Sequence, residues 1–193
     1  MILIIDASSP GIRLALQVVC CSVIPAKAGP PIQKSIETDK QSTALPIEVE
    51  FFLTENGVTF RDLMAIGIVV GPGSFTGIRL GIAYAKGLSI GLGVPVVPVN
   101  AFEIYLERTP DAFVAIDSGR GDFFVGAHDL VPMIMSIDEV ETQQMKYSST
   151  IGHKPFDLTD ALPVITRKLS GEIEPVIPLY IRPHYAETNC KSS

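Results

Sequence analysis

Two short constellations in this chain could do phosphate chemistry. The first is Gly71-Pro72-Gly73-Ser74-Phe75-Thr76-Gly77, which joins an apolar run, Leu63 to Val70, to a helical pattern. Gly71 and Gly73 allow backbone angles that a side chain would forbid, Pro72 stiffens the turn between them, and the Ser74 hydroxyl can accept from the first free amides of the helix. Unpaired amides and the positive end of the helix dipole favour an anion, so the bare reading is a phosphate-facing loop, and the competing one is a plain glycine-rich connection. The second constellation is an aspartate that ends an apolar strand and is followed by hydroxyls. Asp6 and Ser8 follow Ile2 to Ile5, and Asp117 and Ser118 follow Ala112 to Ile116. Such a carboxylate can hold a water or a metal-bound phosphate, or it can simply close its own turn on nearby amides. Asp6, Ser8, Gly71, Gly73, Ser74, Thr76 and Asp117 are therefore the candidate phosphate-loop residues.

Other chemistries find no footing. The glycine loop lacks the Lys of G-x-x-x-x-G-K-[ST], and Thr76 stands where the third Gly of G-x-G-x-x-G would fall, so neither a Walker ATPase nor a dinucleotide-binding oxidoreductase is supported. Gly73 to Gly77 does not have the order of a nucleophile elbow. A metallopeptidase reading fails because His128, His153 and His184 lie far apart, with no H-E-x-x-H spacing. Cys20, Cys21 and Cys190 form neither a paired disulfide framework nor a C-x-x-C metal motif, which suits a reducing compartment.

The elements that must position these residues read as alternating strands and helices. A chain of 193 residues, 47% of them hydrophobic, can bury a substantial core in one domain or two lobes. Its net charge of −6 argues against binding nucleic acid unaided. The chain starts directly in a strand, without a basic leader or an apolar run of membrane-spanning length, so the expected location is cytoplasmic. Ile2 to Ile5 and Ile12 to Val19 predict a hairpin around Ala7 to Gly11. The stretch from Cys20 to Thr38 carries Pro25, Pro30 and Pro31 and predicts an extended, inserted loop without catalytic duty.

Gln41 to Glu55 has helical spacing, starting near Ser42 with Pro46 in its first turn and stopping near Asn56-Gly57. Leu45, Val49, Phe52 and Leu53 lie on one stripe, and Ile47 and Phe51 lie on another that is either buried within the domain or turned to another chain. A second helix, Thr76 to Leu92, carries only Arg79 and Lys86 as charges. Small residues recur at Gly77, Gly81 and Ala85 and again at Ala83, Gly87 and Gly91. One sheet covers only one side, so small stripes on two sides predict a helix partner from another chain. Val94 to Val99 predicts a further strand, and Phe102 to Arg108 a short helix. Ala112 to Asp117 and Phe123 to Ala127 repeat the opening strand, aspartate, turn, strand pattern. The expected division is a first lobe over residues 1–100 and a shortened second lobe over 101–193.

Met1 to Ser8, Gly71 to Gly81, Ala85 to Leu88, Ala115 to Asp117 and Arg120 to Asp122 together closely resemble the TsaB (YeaZ) family, over roughly residues 1–19 and 41–128. The resemblance implies an α/β, two-lobed actin-like, sugar kinase and Hsp70 ATPase (ASKHA) fold, with mixed sheets flanked by helices and a reduced second lobe. It implies a non-catalytic scaffold for a TsaD-like transferase, which moves a threonylcarbamoyl group onto N6 of an adenosine in tRNAs that read codons beginning with A. That modified base is N6-threonylcarbamoyladenosine, or t6A. A TsaE-like ATPase would complete the system, tRNA would be met only through the complex, the chain alone would form a homodimer, and no membrane would be involved. No intrinsic cofactor is implied, and ATP or ADP with Mg²⁺ belongs, if anywhere, at a partner interface. The helix pair would form the contact, with Ile47, Phe51, Gly77, Arg79, Gly81, Ala83 and Lys86 as interface residues. The chain departs from the family in having Gln41-Ser42 where a His-Ser pair is usual, in a longer loop over Cys20 to Ile36, and in a short second lobe after Asp129. Only Pro178 to Pro183 there is similar to the usual C-terminal ending. The alternative from another class is a standalone small actin-fold ATPase or kinase, with Asp6, Asp117 and the Gly71 loop around a nucleotide phosphate and Mg²⁺.

Overall fold

The computed structural model describes residues 1–18, 30–152 and 156–182. Cys20, Cys21, Cys190, His153 and His184, and most of the loop expected over Cys20 to Ile36, lie outside the described residues. The first sheet contains β1 (Ile2–Asp6), β2 (Ile12–Gln17), β3 (Ile32–Ile36), β4 (Ala65–Val69) and β5 (Val96–Val99), in the order β3-β2-β1-β4-β5. β1 pairs antiparallel with β2 and parallel with β4, and β4 pairs parallel with β5. Strands in the parallel part read as continuous apolar runs because both faces of the sheet are covered. On one face Leu3, Ile5, Leu14, Ile66 and Ile68 pack with Leu45, Val49 and Phe52 of α1 (Gln41–Glu55) and with Ile78, Ile82 and Ala85 of α2 (Phe75–Leu92). On the other, Ile2, Ile4, Ala65, Val97 and Val99 pack with Ile104 of α3 (Ala101–Arg108).

The second sheet contains β6 (Ala112–Asp117), β7 (Asp122–Ala127), β8 (Leu130–Ser136) and β9 (Ser149–Ile151), in the order β8-β7-β6-β9. Three antiparallel strands and one parallel strand repeat the plan of the first sheet without its fifth strand. α4 (Ile137–Gln144) covers one face, with Val140 against Phe113 and Val125. α3 covers the other, where a Cβ at Gly126 would sit 2.8 Å from the Phe102 ring. The last helix, α5 (Ala161–Leu169), returns to the first sheet and places Ala161, Val164 and Ile165 over Ile2, Ile4 and Val97. The molecule is thus α/β, with two mixed sheets flanked by helices and the smaller sheet second, as the ASKHA resemblance implies.

Two local expectations change. β3 lies inside the stretch read as loop, because Gln33, Lys34 and Ser35 lack the apolar pattern of a strand yet pair in register with β2 at the sheet edge. α1 begins at Gln41, so Pro46 falls in its second turn. The elements after Asp129, β8, α4, β9 and α5, had no reading of their own from sequence.

Candidate functional site

The β1–β2 turn and the glycine loop meet edge to edge. Asp6 is fully buried and Ser8 nearly so. Oδ1 of Asp6 accepts from the Ser8 amide at 2.8 Å and from the Ser8 hydroxyl at 2.6 Å. Oδ2 accepts from Nε of Arg13 at 2.9 Å and also from its Nη2. The guanidinium lies over the Phe156 ring, 4.2 Å from its centroid, and Nη1 donates to the Phe156 carbonyl at 3.0 Å. Burial of a carboxylate costs several kcal/mol unless its charge and lone pairs are met, and here Arg13 and Ser8 meet them. Both oxygens are committed to the chain itself.

The loop is closed in the same way. Gly73 has a positive φ of 156° and lies so close to the Ser8 carbonyl that an added Cβ would collide with it. The Ser74 amide donates to that carbonyl at 2.6 Å, and the Ser74 hydroxyl accepts from the Gly77 amide at 3.3 Å. Gly71 accepts from the Ala101 amide at 2.8 Å, and Leu179 donates to the Val70 carbonyl at 2.8 Å. Gln41 adds a polar stitch from α1, its Nε2 donating to the carbonyls of Ser9, at 3.0 Å, and of Gly11. Asp6, Ser8, Gly71, Gly73 and Ser74 are therefore brought together at a joint between β1 and α2, with Gly73 and Ser74 on its exposed side. Thr76 is exposed at the start of α2, and Asp117 is exposed in the other lobe, its Oδ1 accepting from the Gly119 amide at 2.7 Å. At the β1–β2 turn, both carboxylate oxygens of Asp6 and the amide and hydroxyl of Ser8, which a phosphate with Mg²⁺ would need, are already engaged. Asp6 and Ser8 therefore do not fit such a group.

The two small stripes of α2 separate cleanly. Gly77, Gly81 and Ala85 are buried. A Cβ at Gly77 would collide with the Ala7 carbonyl, and one at Gly81 would stand 3.1 Å from Cδ1 of Ile68. Gly77 and Gly81, expected at an interface, instead seat α2 on its own sheet, because only a residue without a side chain lets the helix approach that closely. The opposite side is open. Ala83 is exposed, and a Cβ at Gly87 or Gly91 would meet nothing within 4 Å. Ile90, one helical step further along, is 86% exposed, and Lys86 is also exposed. On α1, Ile47 and Phe51 are 54% and 61% exposed. Arg79 is exposed but occupied: its guanidinium lies 3.8 Å from the centroid of Phe75, and Nε donates to the Tyr180 hydroxyl at 2.6 Å.

α1 and α2 are joined beneath this surface. Tyr84 is half-buried against the core shared by the two helices, and burial first, then the nearby charge of Glu50 on α1, pushes its phenol up to about 12. The exposed outer sides of the two helices thus carry apolar side chains at Ile47, Phe51 and Ile90 and almost no side chain at Ala83, Gly87 and Gly91. A facing helix could come close to that strip of backbone. Ile90 is a residue the sequence reading did not single out, although it stands seven residues after Ala83 on the same stripe. Arg13 was missed as well. It is the only charge in β2, and hairpin register sets it directly across from Asp6.

The family model described as TsaD, tRNA N6-adenosine threonylcarbamoyltransferase, matches residues 35–146. The tRNA N6-adenosine threonylcarbamoyltransferase of Clostridium kluyveri is 37% identical over 68 residues, 35% of this chain and 20% of that protein. The tRNA threonylcarbamoyladenosine biosynthesis protein TsaB of Buchnera aphidicola is 33% identical over 109 residues, 52% of this chain and 49% of that protein. The matched segments thus span a fifth to a half of these relatives' own length. Among solved structures, YeaZ from Pseudomonas aeruginosa superposes with a TM-score of 0.71 and 20% identity, over 93% of this chain and 98% of that one.

Proposed function

The chain belongs to the family that the TsaD model describes, within its TsaB/YeaZ group, and on that premise we propose that it is a scaffold subunit in tRNA threonylcarbamoyladenosine (t6A) biosynthesis. In this reading it is cytoplasmic, it docks a TsaD-like transferase through the open face of α1 and α2, and the chemistry takes place on the partner. A TsaE-like ATPase joins the assembly, tRNA is met only within it, and the chain pairs with itself when alone. The observation that carries the proposal is the exposure of Ile47, Phe51 and Ile90 together with the backbone left bare at Ala83, Gly87 and Gly91 on the outer side of α2. Full burial of an Ile or Phe side chain contributes about 1.5–3 kcal/mol, so this cluster supplies the core of a stable helix-to-helix contact. The closed state of the Asp6 and Gly71 region favours the scaffold over a standalone ATPase or kinase.

The test is to mix the chain with a TsaD-like transferase, measure complex mass by size exclusion with light scattering, and follow tRNA modification in the mixture. Ala83→Arg and the pair Ile47→Glu with Phe51→Glu should abolish the complex and the modification. Each should keep folding stability within about 0.5 kcal/mol, the usual range for surface changes. Wild-type affinity in both variants would overturn the interface, and ATP hydrolysis by the chain alone would bring the standalone enzyme forward.

A further inference from the structure

The segment after α5 touches three separate parts of the molecule within four residues. Leu179 donates its amide to Val70 at 2.8 Å and packs on the core under α1 and α2. Tyr180 stacks on Phe75 with ring centroids 5.2 Å apart and accepts from Arg79, so it grips the first turns of α2 from outside. Arg182 then reaches the other lobe. Its Nη2 donates to both carboxylate oxygens of Asp122 at 2.6 Å, at the start of β7. Asp122 also accepts from the Ser118 hydroxyl, and its backbone carbonyl accepts from the Ser118 amide at 3.1 Å, which closes the β6–β7 turn. One extended segment therefore runs from the glycine loop, past the entry of α2, to the turn that carries Asp117.

We propose that Leu179 to Arg182 is a strap that holds the second sheet in a fixed attitude to α2, so that a disturbance at either end is felt at the other. The strap is built to yield. Tyr180 is 46% exposed and Phe75 39% exposed, and the side chains of Arg182 and Asp122 are 35% and 24% exposed. An aromatic stack at that exposure contributes about 0.5–1.5 kcal/mol and an ion pair, which salt also screens, about 0–1 kcal/mol, so they set an orientation that a modest force can release. The inference stands apart from the partner reading, because it concerns contacts within this chain alone.

Hydrogen–deuterium exchange on the full chain tests it through effects across the lobes. Tyr180→Ala, which removes the stack on Phe75 and the hydrogen bond from Arg79 at α2, should raise exchange of the Ser118 amide in the β6–β7 turn. Arg182→Ala, which removes the ion pair with Asp122 at that turn, should raise exchange of the Leu179 and Ile78 amides. Increases of up to about fivefold are expected from the energy of one exposed pair. The swapped pair Asp122→Arg with Arg182→Asp should bring the Leu179 amide back toward the wild-type rate, and high salt should mimic Arg182→Ala. If each substitution changes exchange only beside itself, the segment is a local tether and the strap is refuted.

Discussion

The inner and outer sides of α2 carry the same kind of residue at the same spacing and face opposite circumstances. Inside, Gly77 and Gly81 press against Ala7 and Ile68, and the volume a side chain would need is already filled. Outside, Gly87 and Gly91 face empty space, flanked by Ala83 and Ile90. The inner glycines are required by this chain's own packing. The outer ones weaken the helix, by about 1 kcal/mol each relative to Ala, with no return inside the chain. A small-residue stripe therefore says only that something comes close; which something is decided by what the other elements have already covered. The same holds for the glycine loop, whose close neighbour is the Ser8 carbonyl of the β1–β2 turn.

Substitutions can break this contrast from either side. The largest loss is expected at the joint beneath the inner side: Asp6→Ala leaves the Arg13 guanidinium without its carboxylate and should cost about 4 kcal/mol in urea unfolding. A loss below 1 kcal/mol would mean that water reaches the pair and that the turn is open enough to receive a ligand. Gly77→Val comes next, at about 3 kcal/mol, since the new side chain must displace the backbone of Ala7 rather than a flexible neighbour. Gly87→Ala should act with the opposite sign. With nothing near the new methyl group, it should stabilise the chain by about 0.5–1 kcal/mol while weakening association with a partner. Unchanged association in Gly87→Ala would sharpen the contact toward Ile47 and Phe51, away from the bare strip.

Much of this arrangement was legible in the residues. Continuous apolar runs gave β1, β4 and β5, since a strand covered on both faces needs nothing else. The split between Leu45, Val49, Phe52 and Leu53 on one stripe of α1 and Ile47 and Phe51 on another could be read directly, because a 3.6-residue period sorts buried from exposed on a single helix. What periodicity does not supply is the identity of a neighbour from elsewhere in the chain. Two small stripes on α2 look alike until Ala7 is known to lie under one of them. Asp6 allowed either a ligand or a closed turn, and Arg13, seven residues on, decided it through strand register. α5 escaped notice because Pro163 interrupts its short pattern and its partners, Ile2, Ile4 and Val97, belong to strands at the far end of the sequence.

The smallest predicted effect lies on the border between the two sides, at Tyr84. Burial and the Glu50 charge both favour the neutral phenol, so its folded value, about 12, lies above the ordinary 10 of an unfolded chain. A raised value of this kind means that the contribution is fully present below pH 10 and is lost as the pH rises from 10 through about 12. Tyr105 and Tyr147 are raised as well, chiefly by burial, so the bulk alkaline transition mixes several phenols and Tyr84→Phe is needed to isolate this one. The variant should lose less stability than the wild type between pH 10 and 11.5 in urea unfolding, and Glu50→Gln should move the phenolate absorbance of Tyr84 toward lower pH. Because Tyr84 is only half-buried, solvent screening keeps both changes modest. Identical alkaline profiles for wild type and Tyr84→Phe would mean that water enters the seam between α1 and α2, and the two helices would then present a softer face to any partner than their packing implies.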